Sequence, residues 1–194
     1  MRRVFYSFHY AQDSMRVMLI RNIQALESDE PVLRTKWEEI KRAGDLAIKR
    51  WINKAMASCS CVVVLIGEET SRRPWVRYEI QHAWEENKGL LGIYIHNLKP
   101  VNNSLAKLGK EGKNPFLNFQ LTPKYSATSS DDKKIINLSD VVPVKNPDPK
   151  NAYNDIRLNI ASWVEEAIKI RKDNYFKNFK IEETDASKVY GNIM

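Results

Sequence analysis

At 194 residues with 43% hydrophobic content, the chain can fill one well-buried core and is short for two. No run reaches the roughly 18 apolar residues of a membrane-spanning helix, and the N-terminus enters a strand-like segment directly with no signal peptide, so a cytoplasmic protein without a membrane partner is expected. The formal charge of +7 raises nucleic acid as a partner, but the lysines are spread out, which argues for solvated surface over a polyanion site, whether for nucleic acid or for a small phosphorylated ligand.

Val4 to Phe8 alternate in a β-rich run, and Met15, Met18, Leu19, Ile23 and Leu26 recur at helical spacing, so a strand and then a helix are expected. Asp45 stands where an N-cap belongs, ahead of the helical face Ile48, Trp51, Ile52, Ala55 and Met56. Cys61 to Ile66 is a continuous apolar run ended by Gly67, the pattern of a strand buried on both faces. Cys59 and Cys61 share one extended segment and one face, which suits small core residues in a reducing compartment better than a disulfide.

Glu68 to Pro74 read as a polar loop, Trp75 to Asn87 as a helix stopped by Gly89, and Leu90 to Ile95 as a second buried strand. Residues 99–152 are rich in proline and turn residues, with one further strand expected over Ile135–Val142. Ile156, Ile160, Trp163, Val164, Ala167 and Ile168 mark a final amphipathic helix. The expected organisation is one domain over 1–171 carrying a loop insertion at 99–152, then an extension, 172–194, whose Tyr175, Phe176 and Phe179 suit packing on the body or on a second copy. Strands alternating with helices predict an α/β fold with a central, mainly parallel sheet between helical layers.

Open α/β sheets bind ligands beyond the carboxyl ends of their strands. The seven glycines never form the dinucleotide fingerprint or the P-loop, which removes the usual phosphate cradles. An acidic pair for a phospho-acceptor site, a nucleophile elbow and paired zinc-ligand spacing are all missing, so no metal is expected.

What remains is Glu79. On a helical wheel Ile80, Ala83 and Trp84 form the buried arc, with Trp75, Glu79, His82 and Glu86 in a stripe beside it; Tyr78 falls roughly opposite and Arg77 on the far flank. The bland alternative is a first-turn acid that complements the helix dipole. Against it, the position follows the most buried strand, and Ser7-Phe8-His9-Tyr10 end the first strand nearby.

The opening Val4-to-Tyr10 segment, Lys36-Trp37-Glu38 with Gly44-to-Lys49, the Cys61-to-Gly67 strand and the Arg73-to-Ile80 block, followed by Asn114-Pro115-Phe116, together resemble the TIR-like family of the Thoeris anti-phage protein ThsB over about residues 1–120. The resemblance implies a flavodoxin-like fold, NAD as substrate with no separate cofactor, and Glu79 as the catalytic glutamate. It also implies a cyclised or rearranged ADP-ribose product, a diffusible signal that reaches a separate effector protein; a phage protein as trigger and a homo-oligomer are further partners to test.

A single carboxylate is adequate for such a reaction, because nicotinamide leaves a pyridinium glycoside as a neutral molecule and needs no general acid. In this reading Phe8 and Trp75 wall the substrate, Ser7 and His9 offer hydrogen bonds, Arg77 meets the pyrophosphate, and Asp45 joins the binding set if it is not merely a helix cap. The alternative is a non-catalytic TIR module that works by self-assembly or partner binding, using a contact loop at 31–44 that contains Trp37.

Overall fold

The computed structural model describes residues 1–28, 34–99, 108–124 and 134–184; the side chains of 34–37 lie outside the described set. In chain order the elements are β1 (Arg3–Ser7), α1 (Tyr10–Arg21), β2 (Glu27–Ser28), α2 (Arg34–Arg42), α3 (Asp45–Met56), β3 (Cys61–Ile66), α4 (Pro74–Glu85), β4 (Gly89–Tyr94), β5 (Phe119–Pro123), β6 (Ile136–Asn137), β7 (Val144–Lys145), α5 (Ala152–Arg171) and β8 (Phe179–Glu183). Five strands make one sheet in the order β2-β1-β3-β4-β7, with every pair parallel. This is the 2-1-3-4-5 order of flavodoxin-like folds, in which the connections reverse direction between β1 and β3.

The central strand explains the layering. All six residues of β3 are buried, so a helical layer must cover each face. Val62, Val64 and Ile66 pack with Ile48, Ile52 and Met56 of α3 and Val76, Ile80 and Trp84 of α4. Cys61, Val63 and Leu65 pack on the other side with Val17 and Ile20 of α1 and Ile156, Ile160 and Val164 of α5. Each fully buried aliphatic chain contributes about 1.5–3 kcal/mol. Arg171, buried at the end of α5, lies 4.2 Å from the Trp84 ring and donates to the Trp84 carbonyl at 2.7 Å, which ties α5 to α4.

A second, antiparallel sheet has the order β6-β5-β8. Its Phe119, Leu121, Phe179 and Ile181 are buried against the α3/α4 core, with Leu121 opposite Ile181 and Pro123 opposite Phe179. The aromatic extension therefore pairs through β8 with β5 of the same chain.

Several expected elements shift. The strand expected over Ile135–Val142 shrinks to β6 and a 3-10 turn at Leu138–Asp140, and the fifth strand of the parallel sheet is instead β7, Val144–Lys145. Helix α1 ends at Arg21, short of Ile23 and Leu26. Its buried face is Asp13, Val17 and Ile20, while Met15 and Met18 are 63% and 44% exposed; a buried carboxylate had disguised the apolar stripe. Helix α4 stops before Gly89 because Asn87 takes the left-handed conformation, φ 55°, that ends helices. Asp45 is not the cap: Gly44 occupies that position with φ 88° and Asp45 is the first helical residue.

Among the described residues no helix is long and apolar enough to cross a membrane, and no group of three or more His, Cys, Asp or Glu could hold a metal ion. Both cysteines are buried and neither is in a disulfide among the described residues. Of the expected contact loop at 31–44, residues 31–33 and the Trp37 side chain lie outside the described set, and the backbone of 34–42 is helical.

Candidate functional site

Glu79 and Ser7 meet across the sheet at the point where the connections reverse. Ser7 ends β1 with its side chain on the α3/α4 face, the parity it shares with Phe5, which packs on that core. The hydroxyl donates to Glu79 Oε2 at 2.5 Å. Ser7 is 1% and Glu79 8% exposed, so this contact is the carboxyl group's replacement for water.

The helix register overturns the bland account of Glu79. Pro74 occupies the first position of α4 and the first turn holds no acid; Glu79 falls in the second turn, past the dipole's reach and inside the buried face with Val76, Ile80 and Ala83. Burial pushes its pKa up to about 8, with the Ser7 hydrogen bond opposing part of the rise. An isolated Glu79 carboxyl is thus largely protonated at neutral pH, and an entering cation would favour its ionised form.

The neighbouring stripe differs from the wheel. Tyr78 does not point away: its ring sits 6.2 Å from Trp75, edge-on, and stacks on His82 at 5.8 Å. The Tyr78 hydroxyl donates to Asn53 Oδ1 at 2.8 Å, and Lys49 Nζ lies 5.3 Å from its ring. Trp75, Tyr78 and His82 form one half-buried ladder that locks α4 to α3, while Glu79 turns inward beside it. Side-chain lean, which a wheel omits, makes the difference.

The other candidates are less concentrated. Arg77 Nε donates to the Ser71 carbonyl at 3.3 Å, the oxygen that also accepts from Asn118 Nδ2 at 3.1 Å. Arg77 thereby braces the loop leading into α4, and Asn118 links that brace to the second sheet. Phe8 packs against the α1/α5 core, with its ring 6.1 Å from Tyr10. His9 caps the start of α1, its carbonyl accepting from Asp13 N at 3.0 Å, and its Nδ1 is buried without a hydrogen-bond partner among the described residues. Asp45 is exposed at the start of α3. The structure therefore joins Ser7 to Glu79 and keeps Trp75 on the same helix, but sends Phe8 to the other face and Arg77 into the loop.

The burial of Asp13 was not expected from the sequence. It is 3% exposed, with Oδ1 3.5 Å from Arg16. Burial raises its pKa while Arg16 and His9 oppose the rise. The signal was present in the sequence: an acid sharing a face with Val17 and Ile20, four and seven residues on, is a carboxylate inside an apolar stripe. A strap over residues 108–114 crosses above this region. A Cβ on Gly112 would run into the Gly67 carbonyl, and one on Gly67 would run into the Asp13 carboxylate. Gly112 allows the close approach of two backbones, and Gly67 leaves room for the Asp13 side chain.

The strand order is that of a flavodoxin-like, TIR-like fold, and Ser7 at the end of its first strand holds the buried Glu79. Residues 5–100, just under half of the chain, match the family described as Thoeris protein ThsB, TIR-like domain, and that segment belongs to the family. The chain is also 36% identical over 121 residues to a Bacillus cereus (strain MSX-D12) protein named "Putative cyclic ADP-D-ribose synthase ThsB1", a match that spans 59% of this chain and 61% of that one.

Proposed function

We propose that this protein cleaves NAD at the nicotinamide–ribose bond and rejoins the ADP-ribose into a cyclic or rearranged nucleotide signal. The observation that carries the reading is the Ser7–Glu79 pair, a single desolvated carboxyl held at 2.5 Å where open α/β sheets receive ligands. The name of the Bacillus cereus relative supports the same substrate and product class.

The chemistry asks for one acid only. The C–N bond breaks with its electron pair going to the pyridinium nitrogen, nicotinamide departs neutral, and the positive charge develops on the ribose. A carboxylate facing that oxocarbenium ion stabilises it, and the low dielectric around Glu79 magnifies the attraction. Ser7 fixes the carboxyl orientation before substrate arrives. An internal nucleophile of ADP-ribose then captures the anomeric carbon, which requires that water be kept away. The half-buried Trp75 ladder supplies an apolar wall for that purpose. A separate effector reads the product, and a phage component starts its production; the family resemblance supports both steps.

Mass spectrometry of small molecules from infected cells carrying the wild-type chain or Glu79→Gln tests this reading. The wild type is expected to yield nicotinamide and an ADP-ribose-derived signal, and the variant neither. A Glu79→Gln protein that still makes the signal would remove Glu79 from the chemistry.

A further inference from the structure

A recess opens at the carboxyl end of the sheet, on the α1 side of the strap. Asp13 and Arg16 from α1, Glu68 after β3, His96 after β4, and Leu108 and Lys110 of the strap help to line a cleft of about 240 Å³. Neither Glu79 nor Ser7 belongs to its walls. The Ser7 and Glu79 side chains lie on the α3/α4 face, whereas Asp13 belongs to the buried face of α1, which covers the opposite side of the sheet.

Two buried polar atoms in these walls lack a partner among the described residues: Asp13 Oδ2 and His96 Nδ1. Leaving such groups unmatched costs about 1–3 kcal/mol each, so a polar occupant is called for. Its chemistry can be read from the walls. Asp13 and Glu68 offer carboxyl oxygens of the kind that bind a ribose diol at the carboxyl ends of strands. Arg16 and Lys110 present a guanidinium and an ammonium suited to one phosphate. Lys110 is held 3.4 Å from Glu68 with its side chain 82% exposed, free to turn toward an anion. Leu108, 46% exposed, gives an apolar surface for a base. Drug-sized ligands usually occupy clefts of about 300 Å³ or more, so this one suits a single nucleotide and not a dinucleotide.

We propose that the cleft of Asp13, Arg16, Glu68 and Lys110 is a separate binding site for a ribonucleoside monophosphate. The site stands whether or not Glu79 is catalytic, because none of its walls takes part in the NAD reading. Occupancy would hold the strap down on β3, next to the backbone that leads into α4.

Isothermal titration of the full chain with AMP, carried out in the Glu79→Gln background, tests the site apart from turnover. Saturable one-to-one binding is expected. Arg16→Gln should weaken it by about tenfold or more, the worth of one charge-assisted hydrogen bond, and Lys110→Gln, at an exposed position that cannot unfold the chain, by about threefold. Inorganic phosphate should bind far more weakly than AMP. Absence of AMP binding, binding indifferent to both substitutions, or phosphate binding as tight as AMP would each overturn the proposal. So would a loss of binding in Trp75→Ala with none in Lys110→Gln, which would put the nucleotide in the Glu79 site.

Discussion

Replacing Glu79 with glutamine should change how the stability of the fold depends on pH. The carboxyl has an ordinary value of 4.5 and is pushed to about 8 in the native state by burial. Between those two values the native chain binds a proton that the unfolded chain has released, so stability falls as pH rises. The contribution is fully present below pH 4.5 and gone above pH 8. At about 1.4 kcal/mol per unit, the loss is about 3 kcal/mol by pH 7 and about 5 kcal/mol by pH 9. Glutamine keeps the shape and can still pair with Ser7 but has no proton to lose. Urea unfolding of both proteins at pH 4.5, 7 and 9 measures the effect. The difference between them cancels contributions common to both, including the buried Asp13, whose raised pKa acts in the same direction. Glu79→Gln should gain on the wild type by a few kcal/mol across the range. Parallel stability curves would mean that Glu79 ionises as an ordinary surface acid, and the desolvated-carboxyl argument would fail.

Ser7→Ala removes the hydrogen bond that lowers the pKa of Glu79; the acidic limb of the pH–rate profile should move up by about one unit, and an unmoved limb would deny the pairing a role. NAD brings a cationic pyridinium toward a protonated acid, so its binding at pH 7 should release close to one proton, visible as a dependence of the calorimetric enthalpy on the buffer's ionisation enthalpy; equal enthalpies in two buffers count against it. Gly112→Ala places a Cβ against the Gly67 carbonyl and should cost about 1–3 kcal/mol or lift the strap, read as a lowered melting temperature or as faster amide exchange near Gly67. Asn118→Ala removes a buried bond to Ser71; it should cost about 1 kcal/mol and reduce kcat more than it alters NAD affinity, and a pure KM effect would show that the brace does not position α4.

The parallel core was legible because its strands are buried on both faces. Cys61 to Ile66 and Leu90 to Ile95 appear as continuous apolar runs, and no helix has the flanks or length to compete. The second sheet was not. Phe119, Leu121, Phe179 and Ile181 sit in strands of five residues each, too short to show a period, and their partners lie some sixty positions apart, with Leu121 opposite Ile181. Only tertiary pairing makes them strands. Glu79 was visible as a core-edge acid, but its burial and its Ser7 partner come from a contact 72 residues apart. The wheel placed Tyr78 away from the aromatic stripe because a wheel projects Cα positions, whereas the long ring leans back along the helix onto its neighbours. Asp13 was passed over for a related reason, since an acid reads as surface until its helical neighbours Val17 and Ile20 are counted with it.

The second sheet gives the site its rigidity through a short chain of contacts. Asn118 stands at the entrance to β5 and is 4% exposed; its amide and the Arg77 guanidinium converge on the Ser71 carbonyl, fixing the loop from which α4 begins. Pro74 at the first helical position removes a backbone donor that would otherwise need a partner there. Tyr78 holds the middle of the helix to α3 through Asn53, and Arg171 holds its end to α5. Glu79 thus lies on a helix tied at three points along its length, and its own side chain makes a fourth contact, with Ser7. A buried acid whose pKa is pushed up to about 8 would relax toward solvent if the helix could rotate or slide by an ångström. The ties keep it desolvated and, at neutral pH, mostly protonated, so the readiness with which it ionises is set in part by contacts well away from the carboxyl.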